Sequence, residues 1–188
     1  METAVSSSKQ EFLTFIIGKE EFAVEILRVQ EIRGWVAPSP LPNVPSYVKG
    51  VVDLRGTIVP IIDLREKFKL PASYDGTTVV IVVHILTSSG ERIVGLVVDA
   101  VSDVHQFDIN ELQAAPDISD SVHSQYILGL TTIKDSQGQS SAAQMGSSSQ
   151  KLSDKGRMVV VVDLDKLAAE GLIEDIVMNA ENMPSGNG

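Results

Sequence analysis

Short apolar runs of four to seven residues, rich in Val and Ile and broken by turn residues, mark this chain as a succession of β-strands. Phe12 to Ile17 and Phe22 to Val24 flank the turn Gly18-Lys19-Glu20-Glu21, which predicts a first hairpin. Apolar positions 27, 29 and 32 carry the pattern on to Trp35. There Pro38, Pro40, Pro42 and Pro45 withdraw ladder donors and predict a loop; the Pro42-x-x-Pro45 spacing also fits a ligand for a proline-reading domain, though a loop between strands is the simpler reading. Tyr47 to Leu54 and Ile58 to Ile62 predict a second hairpin across Arg55-Gly56-Thr57, with Gly56 supplying the positive φ such turns need. Asp63 then caps a short helical turn reaching Phe68, and residues 70–77 form a connector.

The second half repeats this order. Val79 to Leu86 and Ile93 to Val98 flank the turn Thr87-Ser88-Ser89-Gly90, mirroring the first hairpin. Val24 to Ile32 aligns with Leu96 to Val104 at a constant offset of 72. Tyr47 to Gly50 aligns with Tyr126 to Gly129 at 79, and Val59 to Leu64 with Val159 to Leu164 at 100. The rising offset means insertions in the second copy. The largest, residues 135–156, is rich in Ser, Gln and Gly and replaces the three-residue turn of the first copy, so it is expected to be a mobile loop. Two five-strand units of this size predict two small closed barrels, because closure removes exposed sheet edges. On that reading one domain spans 11–167, with the first barrel at about 11–69 and the second at about 77–165. Leu167, Ala168, Leu172, Ile173, Ile176, Val177 and Ala180 recur at helical spacing and predict an amphipathic helix over 166–183. The polar ends, 1–10 and 184–188, are expected to be disordered.

Composition narrows the classes of function. The 188 residues are 43% hydrophobic with 5% aromatics, which suits a globular all-β core and excludes disorder of the whole chain. A net charge of −10 with no Lys/Arg cluster argues against nucleic acid and anionic lipid as partners. The chain has no cysteine, so neither disulfides nor thiolate metal chemistry is available. Residues 1–10 lack an apolar segment of the secretory kind, and no apolar run is long enough to span a bilayer. A cytoplasmic location is the expectation.

No familiar catalytic set emerges. His84, His105 and His123 stand singly, without a second His or a carboxylate at metal-sharing spacing, so no metal site is expected. Asp53 and Asp63 flank one hairpin and offer an acid/base pair in principle, but turn and capping roles explain both. There is no Gly-x-Ser-x-Gly elbow, and no phosphate-cradling glycine loop followed by Lys. What remains is a surface. Val29 and Glu31 lie two residues apart on a strand, so their side chains are expected to share a face, while Arg55 projects from the second hairpin tip. The plain reading makes Val29 core, Glu31 a solvated charge and Arg55 a turn residue in a weak ion pair worth under about 1 kcal/mol. The other reading sees an apolar strip with flanking charges that would grip a partner helix.

The stretch Gly50-Val51-Val52-Asp53-Leu54-Arg55-Gly56-Thr57-Ile58-Val59-Pro60-Ile61-Ile62-Asp63-Leu64-Arg65 closely resembles the signature of CheW-type chemotaxis coupling proteins. Val29-Gln30-Glu31-Ile32-Arg33 and Gly95 to Val104 extend the likeness, which covers roughly Glu11 to Leu167. The resemblance implies an all-β fold of two SH3-like five-stranded antiparallel barrels packed around a shared apolar seam. It implies an adaptor without catalysis, cofactor or metal, recruited from the cytoplasm to membrane-associated receptor arrays. The partners it implies are the histidine kinase CheA, through its regulatory domain, and the cytoplasmic tips of methyl-accepting chemotaxis proteins. Carried over residue by residue, it places Val29, Glu31, Gly50, Arg55 and Gly56 at the receptor groove and leaves the kinase-binding residues unassigned. This chain departs from the family in two places: Asp53 stands where Asn is common, adding a negative charge beside Arg55, and 135–156 replaces a short turn. Two alternatives stay open at this point, a scaffold of a non-flagellar array such as one governing pilus motility, and a small-ligand sensor or enzyme using a cleft between barrels.

Overall fold

The computed structural model describes residues 8–87, 90–114, 126–133 and 156–168. Strands β1 (Lys9–Ile17) and β2 (Glu20–Glu25) form the first hairpin, and a single 3-10 turn (Ile26–Arg28) leads into β3 (Val29–Gly34). β4 (Val48–Leu54) and β5 (Thr57–Asp63) form the second hairpin, followed by the one-turn helix α1 (Leu64–Lys67). The second repeat supplies β6 (Val79–Thr87), β7 (Gly90–Val98), β8 (Ala100–Asp108), β9 (Ile127–Ile133), β10 (Arg157–Val162) and α2 (Leu164–Ala168). The Asp63 carboxylate accepts from the Arg65 amide, as a capping residue does, and Asp163 accepts from the Lys166 amide in the second copy.

The strands build two five-stranded sheets, ordered β8-β1-β2-β10-β9 and β3-β6-β7-β5-β4, which form the two SH3-like barrels. They do not divide the chain in the middle. Hairpin β1–β2 pairs antiparallel with β8 (Leu13 opposite Val104) and parallel with β10 (Phe22 opposite Val160). Hairpin β6–β7 pairs antiparallel with β3 (Ile32 opposite Ile81) and parallel with β5 (Ile62 opposite Leu96). Each barrel thus takes its first hairpin from one repeat and its other three strands from the other. The boundaries of 11–69 and 77–165 are corrected accordingly: the repeat is real, but the chain crosses between sheets at the 3-10 turn before β3 and again at Asp99 before β8. We call the sheet containing β1 the first barrel and the sheet containing β3 the second.

Burial follows from this exchange. Phe12, Ala23, Phe107, Ile133, Val159 and Val161 fill the first barrel, and Leu54, Val59, Ile61, Val80, Val82 and Val97 fill the second. A larger cluster between them, including Phe15, Phe22, Phe68, Ile81, Val83, Leu96 and Val160, forms a shared seam. In β10 the odd valines face the barrel and the even ones the seam; in β6 Val80 and Val82 face inward while Ile81 and Val83 face the seam. Strands buried on both faces read as unbroken apolar runs, as these do. Each such Val, Leu or Phe contributes about 1.5–3 kcal/mol of burial. The disorder expected over 1–10 is corrected at Lys9 and Gln10, which pair with Asp108 and Phe107 in the β1–β8 ladder; residues 1–7, the greater part of the expected 166–183 helix and of the 135–156 insert, and the C-terminal end lie outside the described residues.

Candidate protein-interaction site

The second hairpin closes on a tight turn in which Arg55 has φ 52° and Gly56 φ 86°. Two positive φ values in succession match the right-handed twist of the flanking strands, and Gly adopts its value without strain. The Asp53 carboxylate accepts a 2.8 Å hydrogen bond from the Gly56 amide and holds the turn. An Asn oxygen in that place would accept the same bond, so the departure at Asp53 leaves the turn intact and alters only its charge. Arg55 extends from this support with 76% of its side chain exposed, and its Nη2 lies 3.6 Å from Glu31 Oε2. An exposed pair at that distance stabilises the fold by well under about 1 kcal/mol. The other Glu31 oxygen, Oε1, is buried and makes no hydrogen bond.

Val29 and Glu31 do not share a face, which corrects the expectation from simple alternation. Val29 lies opposite Val83 and Glu31 opposite Val82, so Gln30 is an extra residue, a β-bulge. The inserted residue turns Val29 toward the seam, where it packs half-buried, and turns Glu31 to the side of Val82. The second barrel opens as a groove of about 190 Å³ lined by Arg33, Val36, Val52, Asp53, Val80 and Val82; Glu31 lies opposite Val82, and Asp53 is two residues before Arg55.

Gly50, also expected at the groove, offers little surface. It is buried with φ 139°, and a Cβ there would lie 2.0 Å from the Ser39 carbonyl oxygen. The absent side chain lets the proline loop close on β4 through reciprocal backbone bonds between Ser39 and Val51, both 2.9 Å. The second repeat does the same: Gln113 and Leu130 exchange backbone bonds over Gly129, whose Cβ would meet Leu112 at 2.7 Å.

Sequence reasoning missed a buried polar network. Arg65, with no exposed side-chain area, forks onto Asp63 (3.0 and 2.9 Å) and reaches Asp99 Oδ1 at 2.8 Å and the Ser73 carbonyl at 2.6 Å. Tyr74 donates its hydroxyl proton to Asp63 and lies over the guanidinium, and Trp35 packs on its ring. Asp99 Oδ2 also accepts from the Gly18 amide in the β1–β2 turn. Burial by itself would raise the Asp63 pKa, but hydrogen bonds from Arg65 and Tyr74 and the guanidinium charge lower it overall. Asp63 is thereby committed to structure, and Asp53 to its turn, so the two carboxylates serve separate hydrogen-bond sets. The echo of Asp63-Leu64-Arg65 in Asp163-Leu164-Asp165 was a visible signal, but no local pattern points from Arg65 to Asp99.

Among the described residues no three His, Asp or Glu side chains gather as metal ligands would, and no helix is long and apolar enough to cross a membrane. Residues 11–171 match the CheW-like domain family. Over 159 residues, covering 84% of this chain and 81% of its relative, the sequence is 40% identical to a chemotaxis protein CheW of Klebsiella aerogenes. It is 32% identical to the chemotaxis protein CheW of Rhizobium meliloti, over 87% of this chain and 90% of that one. The crystal structure of the scaffolding protein TtCheW from Thermoanaerobacter tengcongensis superposes with a TM-score of 0.65 at 24% identity, over 84% of this chain and 91% of that chain, a likeness of fold. With a family match over most of its length and relatives above 30% identity, this chain belongs to the CheW-like family.

Proposed function

We propose that this protein is a chemotaxis adaptor that couples the signalling tips of methyl-accepting chemoreceptors to the histidine kinase CheA, by binding and without catalysis. The observation that carries this reading, beside family membership, is the exposed Arg55 on a turn held by Asp53, a residue of the apolar groove, and within reach of Glu31. Arg55 has donors free for a partner carboxylate, and the unpaired Glu31 Oε1 can accept from a partner donor. The groove takes apolar side chains from one face of a helix while these charges set its register. In this scheme Arg55 and Glu31 contact the receptor, Gly56 shapes the turn, and Gly50 and Val29 hold the framework behind it. The protein acts from the cytoplasm and is recruited to membrane-associated arrays through these contacts. Two modest interfaces held in one assembly raise the effective concentration of kinase beside receptor.

The test is binding of the purified protein to a soluble receptor cytoplasmic fragment, comparing wild type with Arg55→Ala. A drop of roughly 2–5 kcal/mol in binding is expected if the guanidinium becomes buried against the partner. Unchanged binding would remove Arg55 from the interface.

A further inference from the structure

The two places where the chain crosses between barrels are each fastened by an ion pair, and the two pairs have opposite polarity. At the second crossing, Asp99 of the second repeat receives Arg65 from α1 of the first repeat. At the first crossing, Arg28 of the first repeat is received by Asp165 from α2 of the second, through bonds of 3.0 and 2.8 Å. Arg65 and Asp165 occupy the same position in the repeat, two residues after the capping aspartates Asp63 and Asp163, and Asp99 and Arg28 lie within one position of each other in register. Each joint therefore ties the crossing segment of one repeat to the helix of the other.

The joints differ in strength. Arg65 is fully buried and held by three further partners, whereas the Arg28 and Asp165 side chains are 25% and 38% exposed. A cavity of about 150 Å³, lined by Glu25, Arg28, Leu128, Asp163 and Asp165, leaves the Arg28 joint room to move. Glu25 stands 3.8 Å from Arg28, and Asp165 also accepts from the Leu86 amide at 2.9 Å. Arg28 immediately precedes Val29, the first residue of the bulged strand that presents Glu31.

We infer that the Arg28–Asp165 pair is a positioning latch: it fixes the first crossing, and through it β3 and Glu31, against the first barrel. This rests on the receptor reading of Glu31 and Arg55. The pair touches no partner itself. It sets the angle at which β3 meets the groove, and the second joint carries the reverse polarity.

The experiment uses the full chain with R28D, D165R and the double reversal R28D/D165R. It measures affinity for the receptor fragment well below the melting temperature, together with melting temperature and amide exchange at 26–31 and Leu86. Each single reversal is expected to weaken receptor binding about fivefold, the lower end of typical site-to-site coupling, and to speed exchange at 26–31. The double reversal should return affinity to within about twofold of wild type and restore slow exchange at 26–31, whereas Leu86, whose amide loses its Asp165 acceptor, stays fast. Binding that is unchanged in the single variants, or that the double reversal fails to rescue, overturns the latch. A wild-type protein that does not bind receptor at all sinks the receptor reading instead; exchange at 26–31 then decides the latch alone, and equal rates in all four proteins overturn it.

Discussion

At the scale of single residues, Arg55 and Gly50 show how neighbouring positions in one motif divide between surface and framework. Arg55 is exposed and its ion pair with Glu31 is worth little to the fold, so Arg55→Ala should change unfolding free energy by no more than about 0.5 kcal/mol in urea denaturation. Large destabilisation would mean that the turn depends on the side chain. Gly50 behaves oppositely. Gly50→Ala forces a positive φ on alanine and drives a methyl into the Ser39 carbonyl, so a loss of about 2 kcal/mol or more is expected, with the proline loop displaced. A variant as stable as wild type would show that the loop opens at no cost. Both residues stand in a recognisable motif, and the motif does not tell them apart; their difference lies in a loop that arrives from eleven residues upstream.

Among the elements, β5, β6, β7 and β10 were readable because much of each is buried on both faces, which leaves Val and Ile runs between turn residues. The second hairpin appears with its turn where Gly56 places it, and Asp63 caps α1 as its position before Leu64 and Arg65 suggests. The bulge at Gln30 was not readable. Alternation predicts one face for Val29 and Glu31, and only the pairing with β6 reveals the extra residue. The Arg65 network was hidden for a similar reason, since its carboxylates come from positions 63 and 99. Removing the buried guanidinium, as in Arg65→Met, leaves Asp63 uncompensated and should cost about 3–5 kcal/mol. The same network sets an acid limit. The folded-state pKa of Asp63 lies below its unfolded value near 3.8, so its contribution is present above about pH 4 and is lost as pH falls through the folded value. Melting temperature followed from pH 6 to pH 2 should fall less steeply in Asp63→Asn, from a lower starting point; an identical slope would show that other carboxylates govern acid unfolding.

For the whole molecule, the internal repeat was legible and its consequence was not. Offsets of 72, 79 and 100 reveal two copies, but nothing in them says that each hairpin joins the other copy's strands. That exchange makes the two barrels inseparable: the seam draws on both repeats, and each crossing is tied to the opposite helix. It also places the Arg55 turn and β3, both on the second barrel, on a body whose attitude to the first is fixed by two joints. A pair of barrels joined at two crossings suits the proposed adaptor, which holds two partners in one orientation. The most direct measurement of that role is reconstitution of receptor, CheA and this protein on membranes, following kinase autophosphorylation with and without receptor ligand. Control of the kinase by ligand is expected only when this protein is present, and should be lost with Arg55→Ala. Equal control in its absence, or full control by the Arg55→Ala variant, would contradict the bridging role and its placement at the hairpin tip.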